Sequence, residues 1–153
     1  MADSGREQIV EEIRRRLDSM SLGTGCHYDY QQTLRWRVTA PTGPFPVPVL
    51  IDEDEEILGE QAGIIVRRLR LLVAVWHSIE LGEADAPARA ASWMIEDVEK
   101  TLMSDRRCAG LAIDTNLAGS APDVGEAISP NVLCSVSATV TYRTNPEDPT
   151  DVR

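Results

Sequence analysis

The sequence VLCSVSATVTYRT, residues 132–144, decides the fold class of this chain. Apolar side chains occupy alternate positions of the stretch: Val132, Cys134, Val136, Ala138, Val140 and Tyr142. The positions between them are polar, with Leu133 as the exception. A period of two places successive side chains on opposite faces of a strand. The stretch therefore predicts one long strand with a buried face and a face in contact with water.

Two further segments have the periodicity of amphipathic helices. Ser4 and Glu7 have the spacing of a capping box, and we predict a helix over residues 5–20 behind them. The second helix is predicted over residues 87–103, with Pro87 in its first turn. The apolar faces carry Ile9, Ile13, Leu17 and Met20 in the first helix and Ala91, Met94, Ile95, Val98 and Leu102 in the second. We expect Glu96 and Asp97 on the wet face of the second helix.

Shorter patterns predict the remaining strands. Leu34, Trp36 and Val38 alternate with polar residues, and residues 111–117 form another candidate strand. Residues 47–51 are predicted as a short edge strand, because the flanking prolines cannot donate to a ladder. Residues 64–79 fit either a helix or a strand, and their β-branched and aromatic content favours the strand.

The order of these elements predicts an α+β domain over residues 1–144. Its core would be an antiparallel or mixed sheet of about four to five strands with two helices packed on one face. Residues 118–131 contain two glycines and two prolines and are predicted as a long loop. Residues 145–153 are predicted as a flexible C-terminal tail.

The composition and net charge of the chain argue against some classes of function. The chain has 153 residues, a formal net charge of −10 and an isoelectric point of about 4.6. An acidic chain is a poor candidate for gripping nucleic acid or an anionic membrane surface. We expect no membrane segment, because no apolar run approaches the roughly 20 residues that span a bilayer, and no signal peptide. The three widely spaced cysteines predict reduced thiols rather than a disulfide framework.

The sequence contains few motifs that indicate catalysis, metal binding or phosphate binding. A metal site would need thiol and imidazole side chains such as those of Cys26, His27, His77, Cys108 and Cys134. The usual zinc spacings are absent from the sequence. The sequence contains neither a Gly-x-Ser-x-Gly elbow nor a phosphate-binding glycine motif. We therefore predict no catalytic residue, no metal and no cofactor.

Two charged clusters are the candidate sites. The acidic run is predicted as an exposed loop, and it lacks the spaced ligands of an EF-hand; it consists of Asp52, Glu53, Asp54, Glu55 and Glu56. The basic cluster consists of Arg67, Arg68 and Arg70. On an acidic chain we expect these arginines to pair with acids at an interface rather than with nucleic acid.

Four stretches resemble a known family in their order and in the way the chain ends. The N-terminal helix contains Ile9-Val10-Glu11-Glu12-Ile13 and leads into a sheet. A proline-flanked strand, residues 46–51, is followed at once by acids, and a helix over residues 95–102 runs into Leu111-Ala112-Ile113-Asp114. The last strand closes on Thr141-Tyr142-Arg143-Thr144 before a short tail. Over residues 5–149 the chain resembles the tail terminator proteins of long-tailed bacteriophages, the group like minor tail protein U and the neck-associated proteins.

This resemblance implies an α+β subunit of a hexameric ring in the virion, assembled in the host cytoplasm. The ring would cap the head-proximal end of the tail tube, stop its polymerisation and offer a docking surface to a head-completion or neck protein. DNA would pass through the lumen without specific binding. We expect residues 118–131 and the acidic run to contact partners. Part of the run would face the lumen or a ring seam, because acids there repel phosphates.

Three other functions stay open. A head–tail connector or tail-completion protein of the neck would differ only in the neighbour that it contacts. A small α+β enzyme or ligand-binding domain would use Cys26, His27 and Asp114 around a polar pocket. A host-directed regulator that mimics DNA would spread its acids along one face, whereas here they cluster in residues 52–56.

Overall fold

The computed structural model describes residues 3–35, 41, 43–78, 86–123 and 131–152. These residues form two α-helices, α1 (Gly5–Asp18) and α2 (Ala86–Met103), and a short 3-10 helix, Leu22–Thr24. The strands are β1 (Leu34–Arg35), β2 (Val47–Gln61), β3 (Ile64–Ser78), β4 (Asp114–Asp123), β5 (Asn131–Asn145) and β6 (Asp148–Val152). They make one mixed sheet, curled into a half-barrel, in the order β1-β2-β3-β5-β4, with β6 paired to β5. The α+β class is confirmed.

Strand β5 lies in the interior of the sheet and pairs antiparallel with both β3 and β4. The six alternate side chains that the sequence pattern assigns to its buried face are each at most 2% exposed. They share a core with the matching face of β3, which carries Leu69, Leu71, Val73 and Val75. The predicted alternation of β5 is therefore confirmed, and so is the strand interpretation of residues 64–79 over the described range Ile64–Ser78.

Both helices pack on this apolar face of the sheet. The same core cluster contains Ile9, Ile13 and Leu17 of α1 and Met94, Val98 and Leu102 of α2. At the start of α1, the Ser4 side chain accepts a hydrogen bond from the backbone N–H of Glu7 at 3.2 Å. This satisfies one of the unpaired donors of the first turn, as the spacing of the two residues predicts.

The prediction of an exposed loop at residues 52–56 is wrong. Strand β2 runs from Val47 to Gln61, so the acids lie inside it, and residues 47–51 are only its first part. Acidic residues and glycine are depleted in strands, which hid the continuation. The strand is bulged between Asp52 and Glu55 and again between Ile57 and Gly59.

Two other predicted irregular segments also contain strand. Residues 118–123 belong to β4, and residues 124–130 of the expected loop lie outside the described residues, as do Trp36 and Val38. The expected tail folds back as β6, which pairs antiparallel with the end of β5. Gln8 of α1 donates a hydrogen bond from Nε2 to the carbonyl of Thr150 at 2.9 Å, which ties β6 to the first helix.

A buried arginine of α1 holds the C-terminal end of α2. Its Nη1 donates to the carbonyl oxygens of Thr101 at 3.4 Å, Leu102 at 3.5 Å and Asp105 at 2.9 Å. Nη2 of the same side chain, Arg16, lies 3.3 Å from Cys108 Sγ. The last carbonyls of a helix have no partner within it, and a cation is favourable beside them. Arg16 therefore joins the two helices through backbone atoms.

We predict that Arg16→Met lowers the free energy of unfolding by about 2 kcal/mol, because it leaves buried carbonyls without their charged donor. Arg15→Met is the matched control, since that neighbouring side chain is exposed and pairs with Glu12 on the same helix. Urea denaturation followed by circular dichroism measures both variants. Equal losses in the two variants would contradict the capping role of Arg16.

Candidate functional site

The acidic run and the basic cluster face each other across β2 and β3. Three ion pairs join them: Glu55–Arg67 at 3.3 Å, Glu56–Arg68 at 2.9 Å and Asp54–Arg70 at 3.4 Å. The arginines thus pair with acids, as expected, but with acids of their own chain. Much of the charge that marked these clusters in the sequence is neutralised within one hairpin.

Asp52, the first acid of the run, is buried and joins three elements. Its Oδ2 accepts a hydrogen bond from Arg6 Nη2 at 2.8 Å, and its Oδ1 accepts one from Arg35 Nη2 at 2.9 Å. Arg6 also donates to the backbone carbonyl of Glu53 at 2.6 Å. Asp52 therefore connects α1, β1 and β2 and is no candidate for an exposed lumen acid. Glu53, Asp54 and Glu56 are the exposed members of the run.

Glu55 points to the side of the sheet that the helices cover. It accepts a hydrogen bond from the hydroxyl of Tyr142, and Arg67 Nε donates to Thr144 Oγ1 at 2.9 Å. Burial, followed by the hydrogen bond to Glu55, raises the pKa of Tyr142 above its ordinary value. This polar group lies beside the core and links side chains of β2, β3 and β5.

Beyond the ion pairs, β2 and β3 continue as the outer hairpin, residues 57–66. Its two-residue turn consists of Ala62 and Gly63, which have positive φ angles of 53° and 73°, as tight hairpin turns require. On β2 the side chains of Ile57 and Leu58 are 61% and 43% exposed. Two adjacent large aliphatic side chains in water favour a contact surface over a solvated strand.

Among the described residues, both borders of the sheet contain stretches with a strand neighbour on one side only. Among the described residues, β2 meets β1 only at Val49 and Leu50, so residues 53–61 have β3 as their one strand neighbour. At the other border β4 has β5 as its one strand neighbour within the same ranges, and residues 116–123 are exposed. Unpaired N–H and C=O groups at a sheet edge pair readily with another chain. The two edges are therefore candidate assembly surfaces.

The structure also brings the two histidines to one aromatic cluster. The ring of His27 stacks on Trp93 with centroids 5.2 Å apart, and Tyr28 packs edge-on against His77 at 4.8 Å. Beneath them lies Asp97, which is 1% exposed and not on the wet face as expected. It accepts hydrogen bonds from the backbone N–H of His27 at 2.9 Å and from a tyrosine hydroxyl, that of Tyr30, at 2.6 Å. Its spacing of three residues from Met94 was the signal for burial.

The residues of the alternative enzyme site do not converge. Asp114 binds Arg106 through both carboxylate oxygens, at 2.7 and 2.9 Å, which lowers the pKa of Asp114. Within the described ranges no contact joins it to Cys26 or His27. Cys26 borders a cleft of about 210 Å³ between the helices, below the 300 to 1,000 Å³ typical of ligand pockets.

The other two cysteines, Cys108 and Cys134, are buried and separate from that cleft. Burial raises the pKa of Cys134 to about 12, which keeps its thiol protonated at neutral pH. In the part of the chain that the structure describes, no group of three or more His, Cys, Asp or Glu side chains is arranged to hold a metal ion.

A scan against protein-family models and a search of curated proteins find no match for this chain. In the described ranges, neither helix combines the length and the apolarity that a bilayer span demands.

We predict that Asp52→Asn lowers the free energy of unfolding by about 1–3 kcal/mol, because the part-buried charge-assisted hydrogen bonds from Arg6 and Arg35 lose their carboxylate. Asp54→Asn is the matched control: its pair with Arg70 is exposed, and such pairs contribute about 0–1 kcal/mol. Thermal and urea denaturation of both variants measure the difference. A wild-type stability in Asp52→Asn would show that this network contributes nothing.

We predict an acid-sensitive stability that depends on His77. Burial lowers the pKa of His77, and its Nδ1 has no hydrogen-bond partner among the described residues. The folded state then binds fewer protons than the unfolded state, so the free energy of unfolding falls as the pH drops from about 6.5 through the folded pKa. His77→Phe should flatten this dependence between pH 7 and 5, and His27→Gln serves as the comparison. An unchanged slope in His77→Phe would refute the assignment.

Proposed function

We propose that the chain is the structural subunit of a homo-oligomeric ring, the tail terminator of a long-tailed bacteriophage. The observation that carries the proposal is the outer hairpin, where exposed Ile57 and Leu58 lie on an open strand edge. Burying one such side chain contributes about 1.5–3 kcal/mol, and an edge adds unpaired backbone groups. Both features favour contact with another protein surface, and a second copy of the chain supplies one.

The charge of the chain supports a role around DNA rather than on it. The net charge is −10, and β2 carries four exposed acids, Glu53, Asp54, Glu56 and Glu60, of which Asp54 and Glu56 pair with arginines of β3. A lumen lined by such side chains would let DNA pass, because carboxylates repel phosphates and offer them no binding site. The hexameric stoichiometry, the contacts with tail tube and head-completion protein, and the place in the virion rest on the family resemblance.

The alternatives receive less support. A connector or tail-completion protein of the neck would use the same surface, and its binding partner alone separates it from a terminator. A DNA mimic needs free carboxylates along one face, yet Asp52, Asp54, Glu55 and Glu56 all pair with arginines. An enzyme built on Cys26, His27 and Asp114 would need the three side chains to meet at a pocket.

We predict that the double substitution Ile57→Ser, Leu58→Ser converts rings to monomers without changing the thermal unfolding of the monomer, because both side chains are exposed. Leu22→Ser is the control, since Leu22 is 60% exposed on a different part of the chain and should leave the rings intact. Sedimentation velocity measures the mass, and negative-stain microscopy of the protein mixed with tail tubes shows whether rings cap tube ends.

Rings of about six wild-type subunits on tube ends would support the terminator, and their loss in the hairpin variant alone would identify the contact. Rings that bind a head-completion or neck protein but ignore tubes would favour the connector. A wild-type chain that stays monomeric at every concentration, with or without tubes, would refute the ring.

A further inference from the structure

The two open edges of the sheet differ in charge. Residues 53–61 of β2 carry Glu53, Asp54, Glu55, Glu56 and Glu60. Residues 115–122 of β4, Thr-Asn-Leu-Ala-Gly-Ser-Ala-Pro, carry no charged side chain. Like charges directly opposite each other destabilise a strand pair. Asp54, Glu55 and Glu56 pair with arginines of β3, and Glu53 and Glu60 have no ion pair among the described residues. Pairing of β2 with β2 of another copy would bring such acids together, while pairing of β2 with residues 115–122 of β4 brings no second charge against them.

The two edges also run in opposite directions. Strand β2 is antiparallel to β3, β3 is antiparallel to β5, and β5 is antiparallel to β4. Rotation about an axis parallel to the strands keeps the direction of every strand. In a ring with such an axis, β2 of one subunit would meet β4 of the next as an antiparallel pair, which is the more stable ladder.

Each edge has a bulge beside an exposed aliphatic side chain. In β2 the bulge lies between Ile57 and Gly59 and contains Leu58. In β4 it lies between Leu117 and Gly119, and Leu117 is 38% exposed. Bulges break the regular ladder and so restrict the alignments that an incoming strand finds. An alignment that brings Leu117 against Leu58 of the next copy covers both apolar side chains at once.

We propose that residues 53–61 of β2 pair antiparallel with β4 of a second copy, so that the sheets of neighbouring subunits form one continuous ladder. The inference rests on the proposed ring and names the interface that builds it. The contact joins two different surfaces, which is the heterologous type that generates closed rings or open filaments. In this alignment Asn116 lies opposite Gly59 of the next copy, and Ser120 lies near its Glu56.

Disulfide trapping tests both the contact and its direction. The background is Cys26→Ser, because Cys108 and Cys134 are buried and only Cys26 is partly exposed. Asn116→Cys with Gly59→Cys should give covalent ladders of subunits on mild oxidation, and Ser120→Cys with Glu56→Cys should do the same. Asn116→Cys with Glu56→Cys should link much less. Asn116→Cys with Ser104→Cys, a position on neither edge, is the control that should not link.

The outcomes separate the interface from the ring. In an antiparallel contact, a cysteine nearer the end of β4 should link to a cysteine nearer the start of β2. This pattern of links would support the proposed contact. Rings by sedimentation without β4–β2 links, or links in the Gly59→Cys single variant, would overturn the contact and leave the ring standing. Absence of any assembly in the Cys26→Ser parent and in the wild type would overturn the ring itself, and the contact with it.

Discussion

The antiparallel pairing of β3 with β5 is the constraint on which the rest of the structure depends. It runs from the Ile65–Thr144 pair to the Ser78–Asn131 pair and aligns the alternating residues of both strands. The apolar halves of the two patterns thereby merge into the surface that both helices cover. A slip of one residue would turn one strand's apolar side chains to the opposite face, so this register is strongly specified. The edge strands are then placed as neighbours of β3 and β5.

The elements that sequence reasoning predicted are those whose stabilising partner is the core itself. The alternation of apolar residues in β5 and their helical spacing in α1 and α2 indicate which side of each element is buried. Strand β2 was missed beyond Ile51, because its acids are accommodated by arginines of β3 that only the fold places opposite them. Gly119 and Pro122 are turn residues in most contexts, but an edge strand tolerates a proline, and β4 is an edge.

The sequence identified the charged residues of the candidate site but not how they are arranged in space. Residues 52–56 and Arg67, Arg68 and Arg70 stood out as charged clusters, yet nothing in their spacing revealed that they neutralise one another. The open edges depend on strand order, which is set by pairings between residues far apart in the chain. The burial of Asp97 could have been predicted, because Asp97 follows Met94 by three residues and so lies on the buried face of α2.

The acids of β2 have two consequences that fit together. A monomer with exposed aliphatic side chains on an open edge risks indiscriminate pairing, and charged residues and bulges are the usual protection. Here the protection is selective, because the carboxylates of β2 repel those of a second copy of β2 but meet no charge in residues 115–122 of β4. In the proposed ring, the feature that disfavours pairing of β2 with β2 would also direct β2 towards β4. If pairing of β2 with β2 is disfavoured, the contact that remains joins two different edges, β2 of one copy and β4 of the next. Such a contact has a direction, as a ring requires.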